Sequence, residues 1–126
     1  MTALHPVLSV DSYDDGNGLW ALACPRCGES TGLHLDTVLV GGAGGVVVQV
    51  ENRGEDAGAI PDVRVTSSHD GSAAAKRAER QLSNARRHFI KILGWCEHCD
   101  PEQQFGLMFQ QHKGMTFYGL TEEPGQ

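Results

Sequence analysis

A chain of 126 residues is long enough to bury one core of its own and too short for several domains, so residues 1–126 are read as one domain. Its apolar fraction is 40% and it carries 16 glycines, which points to short strands, many turns and a thin core of the kind that a bound metal reinforces. A net charge of -6 argues against a protein that coats nucleic acid without specificity, which is normally strongly basic.

The N-terminal stretch through Gly18 is polar, and residues 11–18 read as a loop rich in Asp, Ser and Gly. It shows no basic start followed by an apolar run, so it is not read as a secretory signal. Residues 1–18 and 121–126 are expected to be partly flexible. No stretch approaches the roughly 18 apolar residues needed to span a bilayer, and a cytoplasmic location is expected. In that compartment paired cysteines read as metal ligands or redox centres rather than as disulfides.

Leu19 to Ala23 is a short apolar run that leads into Cys24 as a strand. Leu33 to Val40 and the β-branched Val46 to Val50 read as two further strands, joined into a hairpin by the glycine-rich Gly41 to Gly45. That glycine stretch is not a phosphate loop, because no Lys-Ser/Thr follows it and the next element is a strand. Asn52 to Pro61 is a polar loop, and Asp62 to Ser67 alternates as a half-buried strand. The segment from Ser72 to Leu82 alone has helix propensity, with Ser72 placed to cap it and Ala74, Ala78 and Leu82 forming a narrow stripe. Residues 68–86 are accordingly read as a short helix or a loop. His88 to Trp95 returns to strand character, with Phe89, Lys91, Leu93 and Trp95 on one side and Ile90 and Ile92 on the other. Gln104 to Gln111 and Met115 to Leu120 form a closing hairpin around His112-Lys113-Gly114.

The four cysteines fall into two C-x-x-C pairs, Cys24/Cys27 and Cys96/Cys99. Two intervening residues let the backbone curl so that both sulfurs face one point about 2.3 Å away, and two such curls complete the tetrahedron that zinc accepts. The expected cofactor is a single structural Zn2+, because four thiolates leave no open position for a substrate. Iron in the same four-sulfur site is the chemical alternative, and a thioredoxin-like redox pair is the less fitting one in a mainly β chain. Trp20 and Trp95, in the runs before the two pairs, are expected to shield the site. The pairs are separated by residues 28–95, far more than the roughly 15–20 residues of a simple ribbon, so the metal is expected to fasten the ends of a large antiparallel sheet insertion.

The knuckles CPRCG and CEHC resemble those of the zinc-ribbon superfamily. Together with the hairpin Phe109 to Phe117, they are similar to small zinc-ribbon proteins of actinobacteria and their phages. The resemblance covers about a third of the chain. It implies a metal-binding β fold within a class that includes nucleic-acid binders and protein adaptors. The expected architecture is mainly β, with at most one short helix.

Six basic residues crowd one segment: Lys76, Arg77, Arg80, Arg86, Arg87 and Lys91. They are the candidate contacts to nucleic acid, because Lys and Arg neutralise phosphates and release counterions. Arg86, Arg87 and His88 are expected beside the cysteine knuckle, and His112 and Lys113 at the hairpin tip extend the same surface. A solvated loop, or a site for an acidic protein partner, is the competing reading of this run. The histidines form no paired metal-binding spacing, and His98 reads as an exposed knuckle residue. No nucleophile with its base can be assembled. The expected function is therefore that of a non-catalytic binding or adaptor protein, contacting nucleic acid or a protein partner, without a membrane segment or an identified small-molecule substrate.

Overall fold

A computed structural model describes residues 9–14, 16–42, 48–52, 63–67, 73–82 and 87–124. Eight strands and one helix follow in the order β1 (Ser9–Asp14), β2 (Trp20–Ala23), β3 (Leu33–Gly41), β4 (Val48–Asn52), β5 (Val63–Ser67), α1 (Ala73–Arg80), β6 (His88–Cys96), β7 (Gln103–His112) and β8 (Met115–Pro124). The fold is mainly β, as the sequence predicts. Strands β1 and β2 make a two-stranded ribbon, and the other six form one antiparallel sheet in the order β5-β4-β3-β6-β7-β8.

Two expectations change at the ends of the chain. Residues 11–14 belong to β1 rather than to a loop, because the backbone groups of Trp20–Ala23 need a partner and find one in Ser9–Asp14. Thr121–Pro124 is not frayed but continues β8, with Pro124 opposite Gln103. The helix is present over Ala73–Arg80, with Arg77 and Arg80 in its last turn where cations favour the macrodipole. Ser72, the glycine turn at 43–45 and the loop at 53–61 lie outside the described residues. The closing hairpin turns through Lys113 (φ 50°) and Gly114 (φ 80°), the two positive values that a two-residue type I′ turn requires.

The two faces of the large sheet differ sharply. On one, Leu39, Phe89, Leu93 and Met108 pack with Ala74, Ala75 and Ala78, and Leu82 joins them from beyond the helix. Alanines bring the helix close to the sheet, and β5, α1 and β6 are joined in that sequence, so the helix crosses this face as the chain returns to the centre of the sheet.

Lys91 lies within this core, fully buried. Its Nζ donates to Glu123 at 2.7 Å and to Gln81. The Glu123 carboxylate also accepts from Arg77 Nε, Gln81 Nε2 and Thr121 Oγ1, each at 3.1 Å. Gln110 Nε2 donates to the Gln81 carbonyl at the helix end. The helix is thus held to the sheet by a polar network as well as by apolar contact. Gly106 makes room for it, since a Cβ there would stand 2.5 Å from both Lys91 Cε and Thr121 Oγ1.

The opposite face is apolar, and part of it is exposed. One row across five strands runs Val48, Val40, Ile90, Phe109, Tyr118. The next row runs Val50, Val38, Ile92, Leu107, Leu120. Val40, Ile90 and Tyr118 are 46%, 47% and 59% exposed. No described helix is long and apolar enough to cross a membrane.

Glu123→Leu is expected to destabilise the fold by about 3–5 kcal/mol, because it leaves a buried ammonium without its counter-charge. Adding Lys91→Met should recover most of that loss. Denaturant unfolding of the metal-loaded protein measures both changes, and a single variant as stable as wild type would contradict the assignment.

Burial pushes the Glu123 carboxyl up, but hydrogen bonds from Lys91 and Gln81, the Lys91 charge and Arg77 together hold it below its ordinary value of 4.5. Burial holds Lys91 below the usual lysine range against the pull of Glu123. A carboxyl lowered on folding contributes stability that is present above its unfolded pKa and lost as pH falls through its folded pKa. The stability gap between wild type and Glu123→Gln should therefore close as pH drops below 4.5. A gap that is constant with pH would show that the charge contributes nothing.

Candidate metal centre

The first knuckle joins β2 to β3 and the second joins β6 to β7. They meet because β3 and β6 are neighbours, with Leu33 opposite Cys96. The Glu97 N–H donates to the Gly32 carbonyl at 2.8 Å, tying the two curls directly. Gly32 has φ 90°, and a Cβ on it would stand 3.0 Å from the His98 ring, so the junction favours glycine on both counts.

All four Sγ atoms lie within 4.8 Å of one another. Cys24 and Cys99 are 3.8 Å apart, and Cys27 and Cys96 are 3.7 Å apart. A tetrahedron of sulfurs each about 2.3 Å from a central ion has edges of about 3.8 Å, so these separations fit one ion bound by four thiolates. The four cysteines are placed so that they could hold one metal ion. They are all free, and both of these close pairs span the two knuckles, which does not fit a thioredoxin-like pair.

The local backbone explains the curls. The Gly28 N–H closes the first onto the Cys24 carbonyl at 3.0 Å, and the Arg26 N–H points to Cys24 Sγ at 3.4 Å. Gly28 takes φ 78°, the left-handed conformation that ends the turn. The second curl has Asp100 in the equivalent place. There the Cys99 N–H donates to the Cys96 carbonyl, and Asp100 Oδ1 accepts from the Glu102 N–H, steering the chain into β7.

Burial pushes the Cys24 thiol up, but backbone N–H groups of Cys27 and Arg26 and contacts from Cys96 and Cys27 outweigh it and lower its pKa. Burial raises Cys96 and Cys99, and the neighbouring sulfurs add to the rise at Cys99. A divalent cation bound at their centre would favour thiolate ligands.

Arg26, inside the first knuckle, has a role that the C-x-x-C pattern did not reveal. Its side chain is 2% exposed. Nε donates to the Gln103 carbonyl at 3.1 Å, Nη2 to the Gln104 carbonyl at 2.9 Å, and Nη1 to Glu122 Oε1 at 3.4 Å. The guanidinium fork thereby clamps the first knuckle onto the strands that follow the second.

The expected tryptophan shield is not found. Trp20 is 56% exposed. Trp95 stacks on His34 at 4.2 Å and donates Nε1 to Asp36 at a break in the β3–β6 register. His98 is exposed, as expected, and Cys27 is on the solvent side.

The basic residues do not form one surface. Lys91 is withdrawn into the core, because the side of β6 that carries Phe89 and Leu93 lies under the helix. Arg77 is an ion-pair partner of Glu123. Lys76 and Arg80 stay exposed on α1, and Arg86 lies outside the described residues. The Arg87 guanidinium sits 4.4 Å over the Phe117 ring and donates to Gln110 Oε1. Since His88 pairs with Gln111, Arg87 shares one end of the sheet with His112 and Lys113. That end is the start of β6, whereas Cys96 is its finish, about 25 Å away at about 3.3 Å per residue. The expectation that Arg87 and His88 flank the knuckle is therefore corrected.

No family model matches the chain. No solved structure matches it either. An Arabidopsis thaliana protein described as probable beta-D-xylosidase 7 is 34% identical over 89 residues, which cover 63% of this chain and 12% of that protein. The chain thus spans about an eighth of the length of that relative.

Arg26→Met is expected to cost about 2–4 kcal/mol, since it removes charge-assisted bonds and leaves two strand carbonyls short of a donor. Thermal and denaturant unfolding of the metal-loaded variant measure the loss. Unchanged stability would show that the clamp is not needed to hold the knuckles together.

Proposed function

We propose that this protein is a non-catalytic binding module stabilised by one zinc ion. The observation that carries the reading is the closed sphere of four sulfurs, which occupies every position of a tetrahedral ion and leaves none for substrate or activated water. Zinc suits the site because it accepts tetrahedral thiolates without redox demands. The position of the site supports a structural role, because it lies between strands that come from opposite ends of a long stretch of chain. Metal analysis tests this reading. One zinc per chain, a colourless protein, and loss of the cooperative melt on chelation or in Cys96→Ser are the expected results. An iron-to-thiolate absorption band would instead assign electron transfer, and an unchanged melt after complete metal removal would refute the structural role.

Two classes of ligand fit such a module. The partly exposed apolar face of the sheet supports a protein surface as the ligand, because its two rows carry no charge with which to neutralise a phosphate. The nucleic-acid reading retains Lys76, Arg80, Arg87, His112 and Lys113, with Arg86 beside them in sequence. Its support is the Arg87–Phe117 pair, a cation and a ring of the kind on which unpaired bases stack. Affinity for single-stranded nucleic acid that falls steeply with salt and weakens in Arg87→Ala would favour it, and no binding at low salt would remove it.

A further inference from the structure

One end of the large sheet holds a cleft that changes character along its length. On the face away from the helix, His88, Gln111 and Thr116 lie side by side as the rung at the start of β6, and Ile90, Phe109 and Tyr118 form the next rung of that face. A hollow of about 420 Å³ lies over Val40, Ile90 and Phe109 and is bounded by His88, Gln111 and Thr116. A second hollow of about 410 Å³ shares those last three residues and continues to His112, Lys113 and Met115. Because they share one rung, the two make a single cleft with an apolar end and a polar end. We propose that this cleft binds a small amphipathic anion, a monocarboxylate on an apolar body, with the body over Ile90 and Phe109 and the carboxylate at Lys113. The inference goes beyond the macromolecular ligands considered above and does not depend on the identity of the metal.

Size and lining suit such a ligand. Small-molecule sites are concavities of about 300–1,000 Å³, mainly apolar, with a few polar groups that fix orientation. Each hollow falls in that range. The shared rung is also well placed to hold its shape. A Cβ on Gly42 would run into the His88 ring, so that ring rests against the chain just past the end of β3. Gln111 Nε2 donates to Thr116 Oγ1 at 3.4 Å, which ties the other two shared residues together.

Charge selects the ligand. No described residue that lines either hollow is acidic, in a chain with 16 acidic and 10 basic side chains. The charged group at the polar end is the exposed ammonium of Lys113. It is joined there by the imidazoles of His88 and His112, each of which can donate a ring N–H. Donors without a carboxylate among them suit an oxyanion, with which a lysine makes a charge-assisted hydrogen bond. The apolar end offers no partner for a second charge, so the anion is one whose charge is confined to one end.

The test is titration of the full, zinc-loaded chain with octanoate, octylamine and octanol, read by calorimetry and by backbone amide NMR shifts. Saturable one-to-one binding of octanoate with a Kd of about 0.1–1 mM is expected, at least about tenfold tighter than that of the amine or the alcohol. The shifts should centre on His88, Gln111 and Thr116. Lys113→Glu should weaken octanoate at least about tenfold and leave octanol unchanged. Thr116→Trp, which fills the shared middle of the cleft, should abolish octanoate binding while the melting curve persists. Lys113 is exposed in its turn, so its variant decides the matter should the tryptophan variant fail to fold. Octanoate that does not saturate, equal binding of the amine or the alcohol, or shifts centred on the exposed Leu19 and Trp20 would overturn the proposal. A folded Lys113→Glu protein that binds octanoate as tightly as wild type would overturn it equally.

Discussion

The antiparallel pairing of β3 with β6 is the constraint on which the rest of the molecule depends. Its register sets Leu33 against Cys96, so a strand that begins just after one knuckle lies beside a strand that ends at the other. The long excursion between them, through β4, β5 and α1, adds strands to one side of β3 and a helix to one face without disturbing that junction. Loop-closure entropy rises only slowly with length, so an insertion of this size is compatible with a metal site that closes it. The sheet brings four sulfurs to tetrahedral spacing, and an ion bound there would prevent the knuckles from separating.

The chain spends polar residues where a core is usually apolar. Replacing a buried ion pair with well-packed apolar residues is often neutral or stabilising, so Lys91 and Glu123 are weak evidence for stability in themselves. What they provide is position. Arg77 from the helix, Gln81 just beyond it, Lys91 from the centre of the sheet and Thr121 from its edge strand all meet one carboxylate. A helix whose sheet-facing side is mostly alanine has little shape to fix where it sits, and this network fixes it. Arg26 does comparable work at the metal end, where its fork holds a tight turn against strand carbonyls.

Much of this was legible in the residues. Two matched C-x-x-C pairs in a chain with no other cysteine pointed to the metal site, and alternation in His88 to Trp95 and around His112-Lys113-Gly114 pointed to strands that are present. The alternation also placed Lys91 on the side of Phe89 and Leu93, which was the available sign that it is buried. What local patterns do not carry is long-range pairing. Nothing near Glu123 announces that Lys91, far away in sequence, requires it, so the last residues looked frayed. A polar composition at Ser9–Asp14 likewise concealed a strand whose reason is a partner, β2, elsewhere. Clustering of basic residues in sequence did not become clustering in space, because a strand sends alternate residues to opposite faces and its two ends far apart.

The central claim is that four sulfur atoms from two distant turns share one ion, and X-ray absorption at the metal edge reads that coordination sphere directly. Four sulfur neighbours at about 2.3 Å around zinc, with no nitrogen or oxygen ligand, is the predicted result. A shell containing fewer than four sulfurs, or light-atom ligands in their place, would contradict the account.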